Sequence, residues 1–517
     1  MAFKSLVRGS ILLSLASNTL SAESAASDSL QDCLQNAQAT VFYPQSTGYN
    51  DTAKSQNTNY NYQPAAILQP NSTEETAAIV KCVVAEQGAT KLSSFGGGHG
   101  YASYALGGTD GFVVIDASKL QDIEIDEAGS TVTVGAGTKI GPVAARIGEK
   151  GFGLPHGTCS SVGVVGHSLG GGWGFSSRKW GWLLDHIVFL TIVDAKGEIR
   201  DVLPSSTGAD ADLWWAMRGA GANNFGVVTS ITFNVEKAPA KSVNYKAIFQ
   251  TNDECAEALV GFQELSLYPA DDNGLSSKLG AQLLLYGEGG SDPGACRFLG
   301  QYLGPLEEFL EIKKRIVDNF EGRGIKIGEF NNTESDSWVK TLTDLMGDLN
   351  APPTKVPYYA QSLMDDGSPG YSKESALAIT QAVQRTVGLH GIGTSIAFDL
   401  NGVGSGTNAE QPHGDSAFAV AGHRKALFLS QIYVNGYPGF DKPQEQEEVN
   451  RAVDGVVGAV KAANPYDTWQ AYVNYVDPRL QDWAQQYYGQ ALARLKSIKK
   501  AEDPNTVFDY AQGLAHA

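Results

Sequence analysis

Between residues 95 and 226 the chain carries three glycine clusters: Phe95-Gly96-Gly97-Gly98-His99-Gly100-Tyr101, then Gly166-His167-Ser168-Leu169-Gly170-Gly171-Gly172-Trp173-Gly174, then Arg218-Gly219-Ala220-Gly221-Ala222-Asn223-Asn224-Phe225-Gly226. Glycine is the residue that lets backbone turn sharply or approach a ligand closely, and it is a poor helix former. Successive glycines also free backbone N–H groups to face an anion such as pyrophosphate. Three such loops in one region can line one large cofactor. Loops that merely join strands would leave His99, inside the first cluster, and Cys159, just upstream of the second, without a reason to be where they are.

The middle cluster contains a G-x-S-x-G at 166–170, which raises a hydrolase reading with Ser168 as nucleophile. A nucleophile elbow needs a strand before the serine and a packed helix after it. Residues 162–165 could supply the strand. Four glycines within 170–174 are a poor helix start, and the acid and histidine partners (Asp399 with His413 or His423) are what any long chain offers. The serine hydrolase stands as the weaker alternative. No G-x-G-x-x-G argues for a Rossmann unit.

A length of 517 residues exceeds one ordinary core and implies two or three domains. The 56 acidic against 38 basic residues give −18, and with no basic run nucleic acid is excluded as a partner. Lys4 and Arg8 precede an apolar run at 11–16 and small residues to Ala26, the pattern of a secretory signal cleaved near Ala22. No later run of about 18 apolar residues spans a membrane. Sequons at Asn50, Asn71 and Asn331 agree with secretion. In an oxidising compartment four of the five cysteines (Cys33, Cys82, Cys159, Cys255, Cys296) can pair, leaving one over. No metal site is expected.

Helical patterns at 29–37 and 73–85 precede short strand-like runs at 91–95, 111–116, 131–135, 186–194 and 227–234, with helices at 141–148 and 210–218 between them. From about 240 to 463, strands at 282–286, 395–400 and 427–433 alternate with helices at 293–302, 306–317, 373–387 and 444–463. A strand at 469–475 and a helix at 478–499 close the chain.

The stretches SSFGGGHGYASYALGG, GLPHGTCSSVGVVGHSLGGGWGFSSRKWG and DLWWAMRGAGANNFGVVTSITF, with the C-terminal WQAYVNYVDPRL, resemble consecutive blocks of the berberine-bridge-enzyme-like oxidases. These are flavoproteins of the vanillyl-alcohol-oxidase fold, and the chain resembles the oligosaccharide oxidases among them. The resemblance implies an α+β chain: a signal at 1–22, a PCMH-type FAD-binding domain at 23–238, an α/β substrate domain at 239–463, and a segment at 464–517 returning to the FAD domain. It implies FAD bound covalently through His99 at the 8α position and Cys159 at C6, which accounts for the odd cysteine, and a Cys33–Cys82 disulfide. Gly96, Gly97, Gly98, Gly100, Tyr101, Val162, Gly163, Gly166, Gly171, Gly172, Gly174, Val228 and Asn474 are the expected cofactor contacts. The family's base is the last tyrosine of Y-x-N-Y, here Tyr475. A free tyrosine near pKa 10 is a poor base, so the site is expected to depress it. Strand alternation is expected to put Tyr475 and Val473 on one face and Asn474 on the other. Asp399 is expected as hydrogen-bond acceptor or second base, and Tyr101 and Gln431 as substrate contacts.

The platform residues of the oligosaccharide oxidases align with Ser395, where they carry a stacking aromatic, and with Ala397, where they carry a glutamine. Their loss favours a less polar alcohol of the secondary-metabolite kind. Oxidation of the reducing-end C1 hydroxyl of an oligosaccharide is the alternative. The expected partners are a small-molecule substrate and O2, with the protein a secreted monomer.

Overall fold

A computed structural model describes residues 28–517 except 269–273, 291–292, 366–369, 403–414 and 466–467. The expected signal at 1–22 and His413 lie outside the described residues.

Sheets of four and five strands build the N-terminal half, beside a two-stranded ribbon of Phe152–Gly153 with Glu236–Lys237. The first orders Thr40–Phe42, Ala66–Gln69, Val113–Asp116 and Leu92–Phe95, its last three strands parallel. Val113, Val114 and Ile115 are fully buried, the continuous apolar run that a strand covered on both faces requires. The second is antiparallel, with Gly226–Asn234 at its centre between Thr131–Gly135 and Ile187–Asp194. The helices Thr73–Ala85, Ile140–Gly148 and Ala209–Ala220 fall where apolar periodicity places them.

A seven-stranded antiparallel sheet forms the other half, ordered Phe330–Ser335, Ser242–Phe249, Cys296–Tyr302, Leu279–Leu285, Gly393–Leu400, Phe428–Asn435, Tyr358–Met364. Alternation splits each central strand between two jobs. Ile396, Phe398, Leu400, Ile432 and Val434 pack into a core shared with the helices Asn252–Leu267, Lys373–Gln384 and Pro443–Ala463. Ser395, Asp399, Gln431 and Tyr433 face the opposite way, into a cavity against the N-terminal half.

Three expected elements differ. Residues 296–302 form a strand, not a helix: Cys296, Phe298 and Tyr302 are buried while Arg297 and Leu299 are half-exposed, a period of two. No strand forms at 469–475; one bridge joins Gln470 to Met364, then a turn closes as Tyr475 N–H donates to Tyr472 O at 2.9 Å. Alternation therefore does not set the direction of Tyr475. The C-terminal helix is split into Trp483–Tyr488 and Leu492–Glu502 at Gly489, whose φ is 46°.

The C-terminal segment packs on the N-terminal half. Tyr472, Tyr488, Leu495 and Ile498 share a core with Val134, Leu190 and Trp215, and Leu92 N–H donates to Val507 O at 2.8 Å. Disulfides join Cys33 to Cys82 and Cys255 to Cys296; Cys159 is free and exposed. Asn50, Asn71 and Asn331 are exposed. No described helix is long and apolar enough to cross a membrane.

Candidate active site and cofactor cradle

Ser168 settles the meaning of its motif. Val164–Leu169 is a short helix rather than a strand. Ser168 lies inside it with 0% exposure, and its hydroxyl donates to Val165 O at 2.9 Å. A serine sealed from solvent and bonded to its own helix has no path to a substrate carbonyl, so the hydrolase reading fails.

The first glycine cluster instead lines a cavity of about 560 Å³ between the two halves of the molecule. The end of the Leu92–Phe95 strand and the loop after Cys159 meet there backbone to backbone: a Cβ at Gly97 would lie 2.2 Å from Gly163 N. Lys139 Nζ holds the arrangement by donating to Gly96 O at 2.7 Å. The amides of Gly97, Gly98 and His99 have no protein acceptor among the described residues, so they are free to meet ligand oxygens.

His99, Gly100, Tyr101, Cys159, Val162, Gly163, Gly166, Val228, Asn474, Tyr475, Asp399 and Gln431 all border this one cavity. Gly171, Gly172 and Gly174 do not, which corrects their expected cofactor contact. Gly172, at φ 91°, donates its N–H to the Tyr472 hydroxyl at 2.7 Å, and Gly174 N–H donates to Ser177 Oγ at 3.0 Å. A Cβ at Gly174 would lie 1.9 Å from His156 O. These glycines serve close packing, not an anion nest.

His99 Nε2 lies 2.8 Å from Ser161 Oγ, and Cys159 Sγ lies 3.7 Å from the same atom. Burial and the Lys139 ammonium hold the His99 imidazole down at about 4, so it is neutral near pH 7. A neutral imidazole and a free thiol on one edge of a glycine-lined slot suit two bonds to one planar ring. FAD fits this donor set and cradle.

Beyond that edge stands a cage of tyrosines. Tyr101 stacks on Tyr475 with centroids 5.5 Å apart and meets Tyr358 edge-on at 5.4 Å. Tyr358 stacks on Tyr433 at 5.1 Å. Asn57 Nδ2 ties the cage together by donating to Tyr101 O at 2.7 Å and Tyr358 O at 2.8 Å. The Gln431 amide donates to the Tyr101 hydroxyl. Asn474 Nδ2 donates to His167 O and the Tyr472 hydroxyl, both at 2.9 Å, anchoring the turn that presents Tyr475.

Asp399 is 1% exposed, and burial pushes its carboxyl up to about 7, opposed by the Gln282 amide that donates to it. Tyr475 is raised well above 10 by burial, then by the Asp399 charge and Tyr472. The expected depression of Tyr475 is thus reversed: an apolar site beside a carboxylate opposes a phenolate.

Sequence reasoning missed Gln282, Tyr358, Tyr433 and Ser161. Gln282 pairs across strands with Asp399, a relation that only register defines. Register also revises the lost platform. Tyr433 stands directly opposite Ser395, and Gln431 opposite Ala397, so an aromatic ring and a glutamine return from the neighbouring strand.

A family model described as FAD binding domain matches residues 64–203, and one described as Berberine and berberine like matches 471–515. The chain is 28% identical to a xylooligosaccharide oxidase of Thermothelomyces thermophilus over 94% of both chains. It is 29% identical to a glucooligosaccharide oxidase of Sarocladium strictum over 93% of both. A solved glucooligosaccharide oxidase from Acremonium strictum, whose FAD is described as 6-S-cysteinyl and 8α-N1-histidyl, superposes with a TM-score of 0.83 at 26% identity, covering 95% of this chain and all of that one.

Proposed function

The chain is a berberine-bridge-enzyme-like FAD-linked oxidoreductase, and we propose that it oxidises a carbinol carbon of a hydroxyl-rich, carbohydrate-type substrate and passes the electrons to O2. His99 and Cys159 hold the FAD. Bound there, FAD supplies the hydride acceptor. One observation carries the reading: Tyr475, stacked on Tyr101, shares a buried pocket with Asp399, whose carboxyl titrates at about 7.

Tyr475 stays neutral at rest, because burial and the Asp399 charge both oppose its ionisation. It accepts the substrate hydroxyl proton as its own proton moves toward Asp399, so no free phenolate forms. Gln282 orients the receiving carboxylate. Tyr433, backed by the buried Tyr358, offers a ring face, and Gln431 with Tyr101 offers hydrogen bonds, the combination that holds a pyranose ring. The names of the xylo- and glucooligosaccharide oxidase relatives support this substrate class.

Ser395, which presents no ring to the cavity, favours a second reading in which the substrate is a less polar alcohol. Secretion to an oxidising compartment is part of the proposal, supported by two disulfides and three exposed sequons.

Peroxide release from xylo-, cello- and chito-oligosaccharides against a panel of hydroxylated aromatic alcohols separates the two readings. Turnover confined to the aromatic panel overturns the first. Flavin lost from acid-precipitated protein overturns the covalent attachment, and its retention in a His99→Ala/Cys159→Ala double variant overturns the residues assigned to it.

A further inference from the structure

Both residues assigned to the flavin converge on one hydroxyl. Ser161 is 5% exposed, and its Oγ lies 2.8 Å from His99 Nε2 and 3.7 Å from Cys159 Sγ. Its loop is fixed on both sides: Ile140 N–H donates to Val162 O at 2.9 Å, Gly141 N–H to Ser160 O at 2.9 Å, and Gly163 packs on Gly97. A hydroxyl can donate one proton and accept at its lone pairs, so it can serve both neighbours in turn.

We propose that Ser161 is the positioning residue for cofactor attachment, presenting His99 through Nδ1 and taking the thiol proton of Cys159. This rests on the reading that those two residues hold the FAD. A neutral imidazole carries its proton on one nitrogen and is nucleophilic at the other. When Nε2–H donates to Ser161 Oγ, the lone pair is left on Nδ1, which bonds the 8α carbon. Once Nδ1 is substituted and Nε2 has given up its proton, the contact reverses. Ser161 then donates to Nε2 and accepts from the Cys159 thiol, so the thiol proton travels to the imidazole as sulfur bonds C6. In each step the nucleophile would lose one proton and the flavin carbon, the 8α methyl in the first and C6 in the second, would lose one hydrogen as a proton. The electron pair of that C–H bond stays on the isoalloxazine, which returns it to O2 and releases peroxide.

Threonine and valine have nearly the same shape and differ in the hydroxyl, so Ser161→Thr and Ser161→Val isolate it. The readout is the mass of proteolytic peptides containing His99 and Cys159 from purified protein, with alkylation marking free thiol. Wild type and Ser161→Thr should carry flavin on both residues. Ser161→Val should show the Cys159 linkage reduced by about tenfold or more, with the thiol open to alkylation, because a proton acceptor of this kind is worth about 10²-fold or more in rate. Equal loading of the Thr and Val variants overturns the proposal, and so does equal failure of both, which would make shape the cause. Wild type with no flavin on either peptide overturns the attachment reading itself.

Discussion

The cavity wall formed by residues 94–101 and 157–166 is built largely from glycine backbone, with His99 and Cys159 set in it, whereas the wall formed by the seven-stranded sheet presents side chains from regular strands. On the first wall, glycines let two loops touch at a separation no Cβ allows, as at Gly97 against Gly163. On the second, Gln282, Ser395, Asp399, Gln431 and Tyr433 project from regular strands whose backbones are occupied by ladder hydrogen bonds. A backbone wall tolerates almost no substitution and suits a ligand that never changes. A side-chain wall can be rewritten one residue at a time without moving the strands, as suits the half of a site that selects among substrates.

If that contrast holds, the largest single effect belongs to the backbone wall. Gly97→Ala places a methyl 2.2 Å from Gly163 N, so the variant should lose acid-stable flavin or fail to fold, read by absorbance of the precipitated protein. An alanine variant that loads normally breaks the comparison.

Across the cavity the effects should fall on rate and leave loading intact. Tyr475→Phe should keep its flavin and slow anaerobic flavin reduction by about 10²- to 10⁴-fold, with reoxidation by oxygen unchanged. An unaltered reduction rate would remove Tyr475 from the chemistry.

The carboxylate comes next. Wild-type reduction should quicken as pH rises through about 7, where Asp399 ionises, and Asp399→Asn should be slower and flat. Because the folded pKa lies above the unfolded value of 3.8, the carboxyl's stabilising contribution is whole below that value and lost as pH rises through about 7. Asp399→Asn should therefore melt above wild type near pH 8 and gain nothing near pH 4. Gln282→Leu should raise the midpoint of the pH–rate profile and cost about tenfold at neutral pH, by removing a hydrogen bond to a charged group.

The smallest effect is expected at the serine that first suggests a hydrolase. Ser168→Ala removes one intrahelical hydrogen bond, costing about 1 kcal/mol of stability, and a fluorophosphonate probe should leave wild-type Ser168 unlabelled.

The two walls also differ in how far they could be read from the chain. His99 and Cys159 are short-range facts, marked by the glycines beside them. The glycines themselves were legible as a class and not by role: Gly97 borders the cavity while Gly172 and Gly174 pack against Tyr472 and His156, and nothing local separates the two uses. The sheet wall was half visible. The family resemblance pointed to Asp399 and Gln431, but the pairings of Gln282 with Asp399 and Tyr433 with Ser395 depend on which strands become neighbours and in what register.

What the sequence by itself determined is local: helix periods, strand alternation, turns at glycine, and a histidine and a cysteine set beside glycine loops. Those follow from backbone sterics and hydrophobic spacing within a dozen residues. The tertiary structure alone decided that Ser161 touches both His99 and Cys159, that the Tyr472–Tyr475 segment is a turn, and that Tyr475 is harder to ionise rather than easier. Each of these depends on desolvation and contact between segments up to about 370 residues apart in the chain, and the energy of a buried charge is set by everything around it.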